Sequence, residues 1–450
     1  MKNRTIIKSL GVLATVLLLN PGKINAQQAP LTLDQTIEKA LQNNKMYSVK
    51  SSQVEEKQAK VKEDQIKAYP AVSVNSTYQY NASIGHLSIP QGALGQLPLP
   101  EGNAAMPDND LNFDLGEHHT FNAGATIYQP ISQLSKIKTG VAISKTDVEI
   151  ADREKVKVSL EIRQAVEKLY YGILILGKQK EEAVAKLELA RIKFYDVESG
   201  KLSGKTIESN ESGLQANIAD KEQKLLKLEI RQDDYLADLS RLTGIETGEI
   251  NLSNAALPPT EVTKTLEDYR TGAMENNVDI QLADLGKIKS ELAIKAAKLS
   301  YRPDIGVFAG YTYQKGNVIL PRNNPIAGAS LKWDVQSIFS NKEVIKQRYL
   351  VSQQAQTLLA DKKDEVNDNV DKAYRKIRQA QSLIQVAQRA YTFRMQELKE
   401  QEDKKLAGMN TQTDLLDTKS SLAKSEADLL AAQLNYRLAV SDLKILTERY

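Results

Sequence analysis

The sequence repeats itself. Displaced by 233 residues, Thr32-Leu33-Asp34 falls on Thr265-Leu266-Glu267, Asn43-Asn44 on Asn276-Asn277, and Pro70 on Pro303. The same displacement carries Val72, Val74, Tyr78 and Tyr80 onto Ile305, Val307, Tyr311 and Tyr313 without a gap. Farther along, a displacement of 204 lays Gly124-Ala125 on Gly328-Ala329, Tyr170 on Tyr374, Gly204 on Gly408, and Leu239 and Leu242 on Leu443 and Leu446. One insertion accounts for the change: residues 81–120 number 40, where their counterpart, 314–324, numbers 11. The chain is two copies of one unit, so its fold must be buildable twice. The reading divides it into a leader (1–26), a first repeat (27–244), a linker (245–263) and a second repeat (264–450).

Each unit changes hydrophobic period in the same order. Residues 31–69 hold no Gly or Pro and open on Thr32 with Gln35 three later, a capping-box pair. The predicted helix ends at Tyr69, because the residue before a proline is pushed out of the α region. Apolar and polar residues then alternate. The spacing predicts strands over 71–80, 121–129, 304–313 and 326–335, with Phe121, Ala123, Ala125, Ile127 and Ala327, Ala329, Leu331, Trp333 on the apolar faces of the return strands. Four strands of about ten residues with one apolar face suit tilted membrane strands. A small soluble sheet with one face on a core fits the alternation too.

After each second strand comes a long helical run, 132–199 and then 338–403. The first holds no proline and only Gly140, Gly172 and Gly177 as interruptions. At about 1.5 Å per residue such a helix spans ~100 Å. The chain then turns into 205–243, where Leu214, Ile218, Leu225, Leu228, Tyr235, Leu239 and Leu242 keep coiled-coil spacing. In 410–447, Leu415, Leu422, Leu429, Tyr436 and Leu443 recur every seven residues. Residues 31–69 and 205–243 together match the long run in length, so they stack end to end beside it. The expected fold class is mixed and duplicated: mainly long α-helices in coiled-coil hairpins, plus four strands.

Composition narrows the function. Sixty Lys and Arg stand against 57 Asp and Glu; residues 1–26 hold four of the basic ones and no acid, leaving the remainder at −1. That balance argues against a nucleic-acid binder. The absence of cysteine excludes disulfides, thiolate metal sites and a lipid-modified Cys. The leader has basic Lys2, Arg4 and Lys8, an apolar core Leu10–Leu19 and a cut site after Ala26, the pattern of a secretory signal. A retained membrane anchor is the other reading of it. Residues 200–206 resemble a phosphate loop, but three residues rather than four separate Gly200 from Gly204 and a helix precedes them. His118 and His119, near Glu117 and Asp114, are a weak metal motif because adjacent side chains point apart. No nucleophile–base set stands out, so neither an enzyme, a cofactor nor a metal is expected.

Four strands cannot close a barrel, and an open sheet in lipid leaves costly unpaired backbone groups on its edges. Closure needs at least about eight strands, so two chains are the minimum and three would give a twelve-stranded barrel.

At this point the residues carry a family likeness. The chain resembles the TolC-type outer-membrane efflux family over its whole mature length. The likeness rests on residues 32–44 and their copy 265–277, the helix-ending Pro70 and Pro303, the paired helical hairpins, and residues 406–417, LAGMNTQTDLLD. The resemblance implies a homotrimer with a 12-stranded transmembrane β-barrel over a periplasmic α-helical tunnel. It also implies partners: a periplasmic adaptor, an inner-membrane pump and outer-membrane lipid. By the same likeness Asp414 and Asp417 form the channel constriction. Carboxylates at i and i+3 share a helix face, so a trimer would hold two stacked acidic rings; both residues also suit the first turn of a helix as solvated acids favoured by its dipole. The chain departs from the family at Asn410, where latch-bearing members carry a basic residue, and at Asn210, in place of the acidic partner. A closed state would then rest on asparagine hydrogen bonds. Leu202, Gly204, Lys205, Leu406, Gly408 and Met409 resemble the adaptor-contact tips, and Tyr78, Tyr80, Tyr311, Tyr313 and Trp333 an interfacial aromatic girdle. Residues 81–120, rich in Gly and Pro, read as a loop over the outer mouth. The expected function is a passive exit duct of the outer membrane; a soluble periplasmic coiled-coil adaptor or scaffold is the alternative from another class. A general uptake porin fits less well, since porin chains close their own barrels. The cargo is not written in the sequence.

Overall fold

The computed structural model describes residues 30–100, 102–203, 211–253, 263–318, 320–409 and 412–448. The first repeat begins with α1 (Leu33–Asn43) and α2 (Lys45–Ile66), and the second with α5 (Leu266–Asn276) and α6 (Val278–Leu299). The single helix expected over 31–69 is therefore two, and the repeated Asn-Asn pair is the reason. Asn44 leaves the helical region (φ −71°, ψ 119°) and its side chain accepts from the N–H groups of Met46 and Tyr47, opening α2. Asn277 does the same for Asp279 and Ile280. The asparagine before each cap reaches elsewhere: Asn43 donates to the Thr243 carbonyl at 2.7 Å and Asn276 to that of Thr447 at 3.4 Å. One asparagine starts a helix while its neighbour ties down the end of another. The capping boxes at Thr32–Gln35 and Thr265–Asp268 are both formed.

The long helices are α3 (Leu134–Leu202) and α7 (Gln336–Leu406); their return partners are α4 (Glu211–Thr243) and α8 (Gln412–Thr447). Helices α1 and α2 cover one part of α3 and α4 another, and α5, α6 and α8 do the same for α7. Two cores sit at equivalent positions of the repeats. Ala40, Ile162, Val166, Ile173 and Leu239 are buried in the first; Ala273, Val366, Val370, Ile377 and Leu443 are buried in the second. Between the repeats, α3 packs on α6 and α8. The linker begins with a 3₁₀ turn (Thr247–Glu249), and Leu252 bridges to Leu31; Tyr170 donates to the carbonyls of Leu31 and Ser253, fastening that crossing to α3.

The long strands form one antiparallel sheet in the order β1 (Ala71–Tyr80), β6 (His119–Pro130), β7 (Asp304–Lys315), β8 (Asn323–Lys332). The fourth strand lies three residues earlier than expected. Trp333 follows its last residue, because α7 starts at Gln336 with Asp334 accepting from the Gln336 N–H.

Residues 81–120 are not a plain loop. Short strands β2 (His86–Ile89) and β5 (Leu111–Asp114) pair, as do β3 (Gln96–Leu99) and β4 (Gly102–Ala105). Between them the Asn81 N–H bonds the His118 carbonyl, Leu115 bonds Gly85, Gly92 bonds Pro107, and Leu94 bonds Met106. Between the Ala71–Tyr128 pair and the Leu99–Gly102 pair the two arms stay opposite each other, with the register slipping by one residue at each of the two interruptions. The insertion is thus an extension of the β1–β6 hairpin, with Gly85, Pro90, Gly92, Gly95, Pro107 and Gly116 at the interruptions and Pro98 and Gly102 inside the short strands. Gly92 and Gly95 take positive φ, which explains their presence.

Candidate functional site

The site is a set of surfaces, and the register of the sheet defines the first. Residues directly opposite in antiparallel strands share a face. Val72 pairs with Ile127 and Tyr78 with Phe121; across the next seam Ala125 pairs with Tyr311 and Ala123 with Tyr313; beyond it Ile305 pairs with Leu331. One face is therefore apolar, and its side chains are exposed: Val74 is 80% accessible. The other face carries Ser73, Asn75, Thr77, Asn122, Thr126, Thr312 and Asn324. From Phe121, level with Tyr78, to Ile131, bonded to Ile305, β6 advances ten residues. At about 3.3 Å per residue and a tilt of about 40°, that is a band ~25 Å tall, the apolar height of an outer-membrane barrel. Among the described residues no helix is long and apolar enough to cross a membrane.

The sequence-expected aromatics divide along this band. Tyr78 and Tyr80 flank the far rim with His119, Phe121 and Tyr313; the Tyr78 hydroxyl pairs with His119 Nδ1 at 2.7 Å and the Phe121 and Tyr313 rings lie 6.4 Å apart. Trp333 is at the opposite end, beside the helices. Tyr311 lies nearer mid-strand, its hydroxyl bonded to Asn323 Oδ1. The histidines face separate partners, His118 the Asn81 carbonyl and His86 the Asp114 carboxylate, and the described residues hold no cluster fit for a metal ion.

The far ends of the helical hairpins form the second surface. Leu202 and Leu406, at equivalent points of the repeats, are 86% and 88% accessible, and Met409 beside the second is 79% accessible, all bare apolar side chains. Gly408 has φ +69° and its N–H bonds the Lys405 carbonyl, closing α7 as a left-handed cap requires. Lys201 bridges to Glu211 at 2.8 Å across the first tip, and Lys405 donates to Gln412 across the second. Gly204, Lys205, Asn210 and Asn410 lie outside the described residues. Asp414 and Asp417 are exposed on one side of the first turns of α8, opposite buried Leu415 and Leu416.

Ion pairs stitch the repeats together between these surfaces. Lys157 meets Asp279, Lys289 meets Asp147, Lys178 meets Glu426, and Arg437 meets Glu167 at 2.8 Å. The last pair is the most enclosed, and Arg437 also stacks on Tyr171, 5.4 Å from its ring centre. Burial pushes the Tyr171 phenol up to about 12, with Arg437 opposing. Glu182 is buried too; burial raises its pKa, but Lys186 and Lys224 outweigh it and hold the carboxyl below its usual range. Sequence reasoning missed the Arg437–Glu167 pair, because 270 residues separate the partners and neither stands in a motif.

The comparisons agree with this geometry. The sequence profile of the family described as "Outer membrane efflux protein" matches residues 36–245 and 271–447. No curated protein sequence matches the chain. Similar solved structures include the CmeC outer membrane channel of Campylobacter jejuni, with TM-score 0.71 and 12% identity over 92% of this chain and 85% of that one. The outer membrane protein VceC of Vibrio cholerae gives 0.65 and 15% over 92% and 94%. The open state of the MtrE outer membrane channel of Neisseria gonorrhoeae gives 0.62 and 13% over 93% and 89%. At these identities the likeness is one of fold.

Proposed function

The chain belongs to the outer membrane efflux protein family, and from that premise we propose that three copies close around one axis into a passive conduit. The protein is an outer-membrane exit duct; the soluble-adaptor alternative is not favoured by the family or by an exposed apolar sheet. The observation that carries the trimer is the pair of outer strands. Among the described residues β1 and β8 have a strand partner on one side only. In lipid, each unpaired N–H or C=O costs several kcal/mol, so the edges must meet β8 and β1 of neighbouring copies.

In this reading the apolar sheet face meets lipid, with Tyr78, Tyr80, Tyr313 and Trp333 near its two boundaries, and the Ser/Asn/Thr face lines a wet lumen. Helices α3 and α7, with their stacked partners, continue the wall as a periplasmic tunnel. Leu202, Leu406 and Met409 at its far end offer apolar anchors to a periplasmic adaptor, through which an inner-membrane pump supplies the energy. Asp414 and Asp417 ring the entrance and favour cations. Residues 1–26 direct export and are removed.

A cysteine-free background makes the closure testable. Double variants with one cysteine on β1, at Val72 or Val74, and one on β8, at Ala327, Ala329 or Leu331, should give oxidised inter-chain cross-links in outer membranes for the pairs that come level. A complete absence of cross-linking across all pairs would defeat the trimeric barrel.

A further inference from the structure

The polar face of the sheet carries two aromatic residues, and both stand next to the helices. Tyr128 pairs directly with Phe308 across the β6–β7 seam, so the two rings share that face. Tyr128 lies two residues before the end of β6, which finishes at Pro130 before α3 begins at Leu134. Each ring lies over a glycine of the next strand. A Cβ placed on Gly306 of β7 would fall inside the Tyr128 phenol, and one on Gly328 of β8 would come within 2.9 Å of Phe308 Cζ. Neither glycine has a positive φ, so what each supplies is room. Glycine here lets a ring lie down against the wall, as aromatic cover of a strand glycine does elsewhere. One side of each ring rests on backbone, and the other is left toward the lumen; both residues are half-buried.

A second observation gives the sign of the cargo. The extended hairpin beyond the far rim, residues 81–120, holds Glu101, Asp108, Asp110, Asp114 and Glu117 and no Lys or Arg, in a chain with 60 basic residues. The β7–β8 turn at the same rim sets Lys315 and Arg322 against these five acids, so each chain still brings an excess of acids to the exit, and an aromatic ring face is itself attractive to cations.

We propose that Tyr128 and Phe308 form an aromatic collar at the junction of barrel and tunnel, a transient stacking site for planar aromatic cations in transit. This rests on the exit-duct reading, with the Ser/Asn/Thr face luminal. The glycines hold the rings flat, so the collar binds without blocking the passage. Three copies would set six rings around one level.

The test uses the purified full-length channel in planar bilayers, with ethidium as the planar aromatic cation and tetraethylammonium as a cation without rings. In the Tyr128→Leu/Phe308→Leu double variant, which keeps apolar bulk but no π face, the ethidium concentration for half block should rise at least about five-fold. Block by tetraethylammonium should stay as in the parent. Gly306→Ala with Gly328→Ala should lower single-channel conductance by lifting the rings from the wall. Equal ethidium block in parent and double variant overturns the collar; so does an equal loss of block for both cations. The luminal premise is read separately: Asn75→Cys should lose conductance on reaction with a membrane-impermeant thiol reagent. If it does not, the face assignment fails and takes the collar with it, whereas a loss of conductance together with equal ethidium block overturns the collar alone.

Discussion

Asp64 shows how one carboxylate joins two helices. It sits near the end of α2, accepts from Lys67 at 2.6 Å and from the Ser144 hydroxyl of α3, and its pKa is lowered to about 2, chiefly by the Lys67 hydrogen bond and then by Ser144. A depressed folded pKa contributes stability that is present above the unfolded value, near 3.8, and is lost as pH falls toward 2. Asp64→Asn should therefore lower the melting temperature at pH 7, and the gap to the parent should shrink between pH 4 and pH 2. A gap that stays constant over that range would reject the linkage. If Asp414 and Asp417 ring the entrance as proposed, Asp414→Ala with Asp417→Ala should weaken cation preference and block by multivalent cations in planar bilayers; unchanged selectivity and block would remove the acidic rings. That Asp414 and Asp417 share one side of α8 was legible, because i and i+3 on a helix is a statement about sequence. The Ser144 partner of Asp64 and the Arg437 partner of Glu167 were not: each depends on which helices pack together.

Helix and strand boundaries show the same division. The capping boxes, the long helices and three of the four long strands follow from capping chemistry and period alone. The break at Asn44 was visible as a repeated Asn-Asn pair, yet continuous helix formers on both sides masked it. Competition from the asparagine side chain won over propensity there. Glycines inside α3 had no readable meaning until α4 was beside it. A Cβ on Gly172 would meet Tyr235 of α4 at 2.6 Å, whereas one on Gly177 meets nothing within 4 Å. Gly172→Ala should cost about 1–3 kcal/mol by overpacking. Gly177→Ala should be neutral or stabilising by up to about 1 kcal/mol, since alanine is the better helix former. Denaturant unfolding followed by circular dichroism separates them; equal effects would show that the Tyr235 contact does not set the α3–α4 spacing.

The molecule as a whole is an unfinished wall. Among the described residues its sheet has an exposed apolar face, and each outer strand has a partner on one side only, so burying those edges in lipid calls for further copies. The long β1–β6 hairpin adds a feature that the second repeat lacks, and it stands beyond the far rim. Deleting residues 85–115 should raise single-channel conductance if the hairpin hangs over the mouth; the parent value, unchanged, would place it aside. The duplication, the order of periods, the strand faces and the need for more than one chain all follow from the linear sequence, because local period and backbone hydrogen-bonding needs are properties of short segments. The packing of α3 on α6 and α8, the Arg437–Glu167 tie, the folding of residues 81–120 into a hairpin and the laying of Tyr128 over Gly306 arise only when distant segments meet. Such contacts join residues far apart in the chain, and their free energy exists only once the chain has closed the loops between them.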